Sequence, residues 1–310
     1  MIFEGSEKKA EIILNKEHQG LLSKKDSFWE QLVTKANASI LSKIENSVVK
    51  AFLLSESSLF VWEDRILLIT CGQTTLIDAI KFFVKELGQD CINQIIFQRK
   101  NEYFSHLQPT TFYDDIERLQ EDFDGVALRM GNIDDHHNFI YHLKRDYTPN
   151  TTDHTFEFLI YEICGEARSF LMQEGLTSIQ VREFLKLDRI LPGFTIDDFV
   201  FKPYGYSLNA INGDNYLTIH ITPQQVSPYV SFETDIDIRE HIPTLIDIFQ
   251  PGSYDFIEFQ PDRENSCGKQ RPQQYELKTE VESFLSCGYK MYFSHYYKKR
   301  KDKLKPFQLL

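Results

Sequence analysis

The stretch Leu53-Leu54-Ser55-Glu56-Ser57-Ser58-Leu59-Phe60, followed shortly by Ile69-Thr70-Cys71-Gly72, decides how the chain reads. Two apolar runs, residues 51–54 and 59–62, flank three serines and a glutamate. The second run passes through Glu63-Asp64 into residues 65–70, so the pattern predicts a strand, a tight polar turn and a second strand. Strands this uniformly apolar are covered on both faces. Hydroxyls and a carboxylate inside such a strand are out of place, because a buried polar group is hydrogen-bonded or costs stability. The cluster is therefore either satisfied by neighbouring backbone or has a chemical task. With Glu63-Asp64 as a two-residue loop, Glu56 lies opposite Cys71; with three residues in the loop, Ser57 does. Either register sets the thiol beside the Glu56–Ser57 bond.

A second hairpin spans residues 204–223. Gly213-Asp214 suits a type II′ loop, which pairs Asn212 with Asn215 and sets Ser207 directly opposite His220. Opposed residues share a face with side chains in contact. A type I′ loop at Asn212-Gly213 would set Ser207 opposite Thr218 instead.

Outward from these hairpins, a short strand over residues 10–14 follows the acids Glu4 and Glu7. Asp26 or Ser27 caps a helix in which Trp29, Leu32, Val33, Ala36, Ile40, Leu41 and Ile44 keep helical spacing. Thr74 or Thr75 opens a helix ending at Gly88, and Thr111 opens an acidic helix over residues 112–123. Strands are expected over 93–98, 125–130, 138–143, 153–163, 231–234, 254–260 and 289–297. Helices are expected over 166–173, 178–187 and 240–249. Asp134-Asp135-His136-His137 reads as a solvated turn lacking metal-ligand spacing, and no metal is expected. In the strand over 153–163, Thr155 and Glu157 form either a solvent face or an acidic inner face. Residues 261–272 read as a polar loop and 298–305 as a solvated basic tail. Helices follow pairs of strands and no fixed-period repeat is present, so the fold class is α+β with mainly antiparallel sheet and helices outside.

The 310 residues allow a substantial core. The 25 phenylalanines and 15 tyrosines favour extensive sheet packing over a helical bundle. With 46 acids against 34 bases the net charge is −12, which argues against nucleic-acid binding and suits a small cationic ligand. The five cysteines, Cys71, Cys91, Cys164, Cys267 and Cys287, are scattered without a CxxC pair, as expected of reduced thiols in the cytoplasm. No signal peptide or membrane-length apolar run is evident, so no membrane partner is expected.

Six motifs, in order, carry a resemblance over nearly the whole chain. They are Phe3-Glu4-Gly5-Ser6-Glu7-Lys8, Leu54-Ser55-Glu56-Ser57-Ser58, Thr70-Cys71-Gly72, Gly205-Tyr206-Ser207-Leu208-Asn209, Thr218-Ile219-His220-Ile221-Thr222-Pro223 and Tyr229-Val230-Ser231-Phe232-Glu233-Thr234. Together they resemble the eukaryotic S-adenosylmethionine decarboxylases. The resemblance implies a single domain over residues 1–310, folded as a four-layer α/β/β/α sandwich that arose by duplication of one half. It further implies a proenzyme that cuts itself between Glu56 and Ser57 into residues 1–56 and 57–310. Ser57 then becomes a covalent pyruvoyl cofactor, with which the substrate amine condenses as a Schiff base before carbon dioxide leaves.

By the same resemblance Ser207 and His220 serve the cleavage, steadying the oxyanion and acting as base. Cys71 is the proton donor in turnover, and Glu4 and Glu7 are active-site acids. Phe3, Leu54, Glu56, Phe201 and Gln224 bind S-adenosylmethionine. Glu11, Asp153, Thr155, Glu157, Glu233 and Phe259 match a network that binds putrescine as activator in some members. Three positions depart from the family pattern. Gln224 replaces a ribose-binding glutamate, Tyr204 a common cysteine, and Ile69 a lysine of the acidic network. Lys9 offers a fixed cation where the diamine would act, so weak or absent putrescine activation is expected. A homodimer stays open. The rival readings are an inactive regulatory paralogue, which Gln224 favours slightly, and a Ser/His hydrolase, for which a GxSxG elbow and a third triad member are missing.

Overall fold

The computed structural model describes residues 4–261 and 273–299. Phe3, Cys267, nearly all of the polar loop 261–272 and the tail beyond residue 299 lie outside the described residues. In chain order the first half runs β1 (Lys8–Leu14), α1 (Asp26–Lys35), β2 (Ile40–Glu45), β3 (Lys50–Leu54), β4 (Ser57–Val61), β5 (Arg65–Thr70), α2 (Leu76–Leu87), β6 (Ile92–Lys100), α3 (Phe112–Gln120), β7 (Gly125–Gly131) and β8 (His137–Leu143). The second runs β9 (Thr155–Tyr161), α4 (Gly165–Leu171), α5 (Ser178–Leu185), α6 (Leu187–Ile190), β10 (Thr195–Val200), β11 (Tyr206–Asn212), β12 (Asn215–Thr222), β13 (Tyr229–Thr234), α7 (Ile242–Phe249), β14 (Ser253–Pro261), β15 (Tyr275–Phe284) and β16 (Tyr289–Lys298).

Each half forms one eight-stranded antiparallel sheet, in the orders β2-β3-β4-β5-β1-β6-β8-β7 and β10-β11-β12-β13-β9-β14-β16-β15. Adding eight to each strand of the first order gives the second, so the halves share one topology. Period-two alternation gives each strand two faces, and in inner strands such as β3, β4, β5 and β12 both are buried. The outer face of the first sheet packs on α1, α2 and α3 through residues such as Trp29, Phe83 and Ile116. The outer face of the second packs on α4 to α7 through Leu171, Val181, Leu187 and Phe249. The two inner faces meet through Ile96, Ile140, Leu159 and Phe293 in one region and Phe60, Trp62, Ile211 and Tyr216 in another. This is the expected α/β/β/α sandwich. Among the described residues no helix is long and apolar enough to cross a membrane.

The structure departs from the sequence pattern in several places. Residues 51–62 form two strands: Leu54 pairs with Ser57, and Ser55-Glu56 is the turn between them. The polar cluster sits at a chain reversal rather than inside a strand. Ile40, Leu41 and Ile44 belong to strand β2, not to α1, because Asn37 takes a left-handed φ of 60° and ends the helical path. Asp26 is the first residue of α1, and Lys25 its N-cap. No strand was expected over Tyr275–Phe284, an edge strand whose outward residues Glu276, Lys278, Glu280 and Glu282 mask the apolar alternation. Glu157 faces inward and is fully buried, which decides against a solvent face. In the turn between β7 and β8, His136 is only partly solvated and reaches Asp255.

Candidate active site

The two hairpins take the registers that bring their polar residues together. Trp62 N–H bonds Arg65 O at 2.9 Å, so Glu63-Asp64 is a two-residue loop and Glu56 lies opposite Cys71. Cys71 N–H donates to the Glu56 carbonyl at 3.0 Å, and its thiol lies 3.4 Å from the same oxygen. On the second sheet Asn212 pairs with Asn215, and Ser207 faces His220.

Neighbours on a strand normally point to opposite faces. Ser57 escapes this with a φ of 129°, and both it and Ser58 reach the gap between the sheets. Ser57 Oγ lies 2.9 Å from His220 Nε2, Ser58 Oγ 3.3 Å and Thr218 Oγ1 2.9 Å. The other ring nitrogen, Nδ1, lies 2.9 Å from Ser207 Oγ. Ser58 also donates to Asn209 Oδ1 at 2.6 Å, which ties the first sheet to the second. Burial lowers the pKa of His220 to about 3, so its imidazole is neutral. Burial raises Glu56 to about 7, and its Oε2 has no partner among the described residues. The Cys71 thiol is pushed well up by burial, then by the charges of Glu56 and Glu7.

Glu7 accepts from Ser231 Oγ at 2.6 Å and from Tyr229 OH at 3.4 Å, on the strand beside His220. Burial raises it to about 7. The Glu4 carboxylate accepts from Phe104 N–H at 2.7 Å, while its carbonyl accepts from Gly72 N–H at 2.8 Å, beside Cys71. Gln224 is buried and donates to Ser227 Oγ at 2.7 Å. Phe201 packs edge-on against Phe199 at 4.9 Å. The Leu54 side chain belongs to the helix-facing core, so only its backbone can serve a site around Ser57. Ser58, Asn209, Thr218, Tyr229, Ser231 and the Cys71 amide were missed as site groups. Their signal was present: Ser207 with Asn209, Thr218 with His220, and Ser231 with Glu233 alternate on three adjacent strands.

A charged layer adjoins this site. Lys9 bridges Glu157 at 2.9 Å and Glu233 at 2.8 Å, and Lys100 also meets Glu157. Arg65 spans Glu11 at 3.3 Å and Asp153 at 3.1 Å. Phe259 lies under the Lys9 ammonium at 5.7 Å, and Thr155 pairs with Phe259 across β9 and β14.

Residues 1–304 match the adenosylmethionine decarboxylase family model. The chain belongs to that family. It is 33% identical over 241 residues to the S-adenosylmethionine decarboxylase proenzyme of Dictyostelium discoideum, covering 73% of this chain and 62% of that protein's length. The Xenopus laevis S-adenosylmethionine decarboxylase proenzyme is 32% identical over 272 residues, with 81% of each chain covered. The Trypanosoma brucei AdoMetDC-delta26 monomer has the same fold, with a TM-score of 0.61 at 23% identity over 78% of this chain and 99% of that one. Ile69 pairs directly with Lys9 across β1 and β5.

Proposed function

We propose that the chain is a self-processing decarboxylase of S-adenosylmethionine, cut between Glu56 and Ser57 and dependent on a pyruvoyl group derived from Ser57. One arrangement carries the reading. Ser57 has a strained backbone, its hydroxyl meets His220 Nε2, and the carbonyl before it is held by Cys71 N–H. These residues fit formation of the group at this position.

His220, with Nδ1–H donating to Ser207, takes the Ser57 hydroxyl proton on Nε2. The Ser57 oxygen adds to the Glu56 carbonyl, the C–N bond breaks and the nitrogen is protonated, which leaves an ester. The Cys71 amide steadies the oxyanion as it forms. His220, neutral again once it has given its proton to the Ser57 nitrogen, takes the Ser57 α-proton and the Glu56 carboxylate is expelled. Addition of water to the resulting dehydroalanine releases ammonia and leaves a ketone. That ketone supplies the electron-withdrawing group needed when carbon dioxide departs.

The remaining residues bind and move protons. Glu7, protonated near neutrality, and Glu4 face the substrate; Gln224 hydrogen-bonds its ribose; the neutral Cys71 thiol returns a proton after decarboxylation. Phe201, and Phe3 outside the described residues, hold the adenine. Lys9, Lys100 and Arg65 supply in cis the charge that a diamine supplies in other members. The described cysteines are unpaired, in keeping with a cytoplasmic enzyme. A Ser/His hydrolase is disfavoured because His220 Nδ1 meets a hydroxyl rather than an orienting carboxylate. Intact-mass spectrometry of the purified protein is expected to find residues 1–56 and 57–310 as separate fragments. A continuous chain that still releases carbon dioxide from S-adenosylmethionine would overturn the proposal.

A further inference from the structure

The turn between β7 and β8 makes contacts that decarboxylation does not use. His136 extends from it to the second sheet, where its Nδ1 lies 3.2 Å from each oxygen of Asp255 on β14. His295, the direct partner of Asp255 across β14 and β16, sets its own Nδ1 2.7 Å from Asp255 Oδ1. Donor atoms of the three residues all lie within 4.8 Å of one another. A tetrahedral ion with bonds of about 2.0–2.1 Å holds its donors roughly 3.3 Å apart, so little movement separates this cluster from a coordination shell.

The surroundings are those of a ligand set. Histidines that bind an ion engage their second ring nitrogen with a fixed polar group, and ligating carboxylates are themselves hydrogen-bonded. Here His136 Nε2 meets Tyr103 OH at 3.2 Å, and His295 Nε2 lies 3.8 Å from Asp135 Oδ1. Lys278 holds Asp135 at 2.8 Å, and Tyr161 OH donates to Asp255 Oδ2 at 2.9 Å. A cavity of about 620 Å³, lined by Tyr103, Asp135, His136 and His295 among others, gives an entry path and room for water.

We propose that His136, Asp255 and His295 form a site for a divalent transition-metal ion of the zinc type, with two imidazoles and one carboxylate as ligands and cavity water completing the shell. Two nitrogens and an oxygen on one side of the ion suit zinc, iron(II) or cobalt(II) better than calcium or magnesium. Loading requires neither processing at Ser57 nor turnover. The site has a path to the catalytic residues, since Tyr161 packs on Tyr229 at 5.3 Å and Tyr229 OH meets Glu7.

The test is a titration of chelator-stripped, full-length protein with cobalt(II). The expected result is one equivalent bound, visible bands of a four- or five-coordinate nitrogen and oxygen site, no thiolate charge-transfer band, and displacement by zinc. His136→Gln and His295→Gln should each weaken binding at least tenfold, and Tyr103→Phe about tenfold through loss of the outer hydrogen bond. If His295→Gln fails to fold, the wild-type spectrum and His136→Gln still decide. No stoichiometric uptake, a thiolate band, or affinity unchanged in His136→Gln would overturn the assignment.

Discussion

Ser57 and Ser58 are adjacent on β4, yet both hydroxyls meet the same imidazole. The left-handed φ at Ser57 makes this possible, at a cost on the order of 1–3 kcal/mol for a non-glycine residue. On the proposed reading, strain at Ser57 favours the reaction that breaks the Glu56–Ser57 bond. Cys71 plays two separable parts beside it. Its backbone N–H holds the Glu56 carbonyl, and its thiol, whose pKa burial pushes up, suits the donor role proposed for it better than a nucleophile's. Cys71→Ala keeps the amide, so processing should continue while decarboxylation falls about 10²- to 10⁴-fold, the usual worth of a positioned proton donor. Gel separation of the fragments and labelled carbon dioxide release check the two effects apart; equal loss of both would mean that the thiol is needed for cleavage. The nearness of Cys71 to the Glu56–Ser57 bond and of Ser207 to His220 was legible in the sequence from two hairpin loops, each of which left two registers open; the roles of these residues came from the resemblance. The bonds that Ser58 makes to Asn209 and Thr218 were not legible, since they run between sheets and no local pattern encodes which strand faces which, although Asn209 and Thr218 alternate with Ser207 and His220 on their own strands.

Elements were legible where one periodicity ruled and illegible where two competed. Helix α2 has Leu76, Ile77, Ile80 and Phe83 on one face and ends at Gly88 with a φ of 93°, so spacing and punctuation agree. Residues 40–44 satisfied helical spacing and strand alternation at once, and the left-handed Asn37 decided for the strand. Edge strand β15 hid because its outward positions carry charge, which is also how an edge avoids pairing with other chains. The equivalence of the two halves was invisible as a repeat in the sequence and shows in strand order. Helix α3, by contrast, was announced by its cap. Thr111 accepts from Asp114 N–H, and the Asp114 carboxylate reaches back to the Thr111 amide. Thr111→Ala should therefore cost roughly 0.5–2 kcal/mol, read as a lower urea midpoint with an unchanged slope. An unchanged midpoint would mean that packing of Phe112, Ile116 and Leu119 alone fixes the helix.

The whole molecule places its chemistry in the gap between two topologically equivalent halves, so neither sheet holds a complete site. The first half supplies the Glu56–Ser57 bond proposed for cleavage, Cys71 and Glu7, and the second supplies Ser207, His220 and Ser231. Burial there gives stability a pH dependence. Glu7 and Glu56 are raised to about 7 by burial, so the folded state holds their protons more tightly and stability falls as pH rises from about 4.5 through 7. His220, lowered to about 3 by burial, works in the opposite direction but only below its unfolded value of 6.5. The thermal midpoint should therefore decline as pH rises from 6.5 through the folded value of about 7; a midpoint unchanged across that window would mean the two carboxyls are already ionised in the fold. The charged layer has a second consequence. Against burial, Lys100 and Lys9 hold Glu157 down to about 2, and Glu157 and Glu233 keep Lys9 charged. Lys9, Lys100 and Arg65 thus already face the carboxylates of Glu11, Asp153, Glu157 and Glu233. A diamine entering this layer would add two positive charges to a desolvated and nearly balanced group. Saturating putrescine should change wild-type turnover less than twofold. Removing one partner of a buried ion pair costs about 3–5 kcal/mol, so Lys9→Met should lower the thermal midpoint and leave Glu157 and Glu233 short of positive charge. Putrescine should then restore part of both midpoint and turnover in the variant. Several-fold stimulation of the wild-type enzyme would instead mean that Lys9 does not stand in for the diamine.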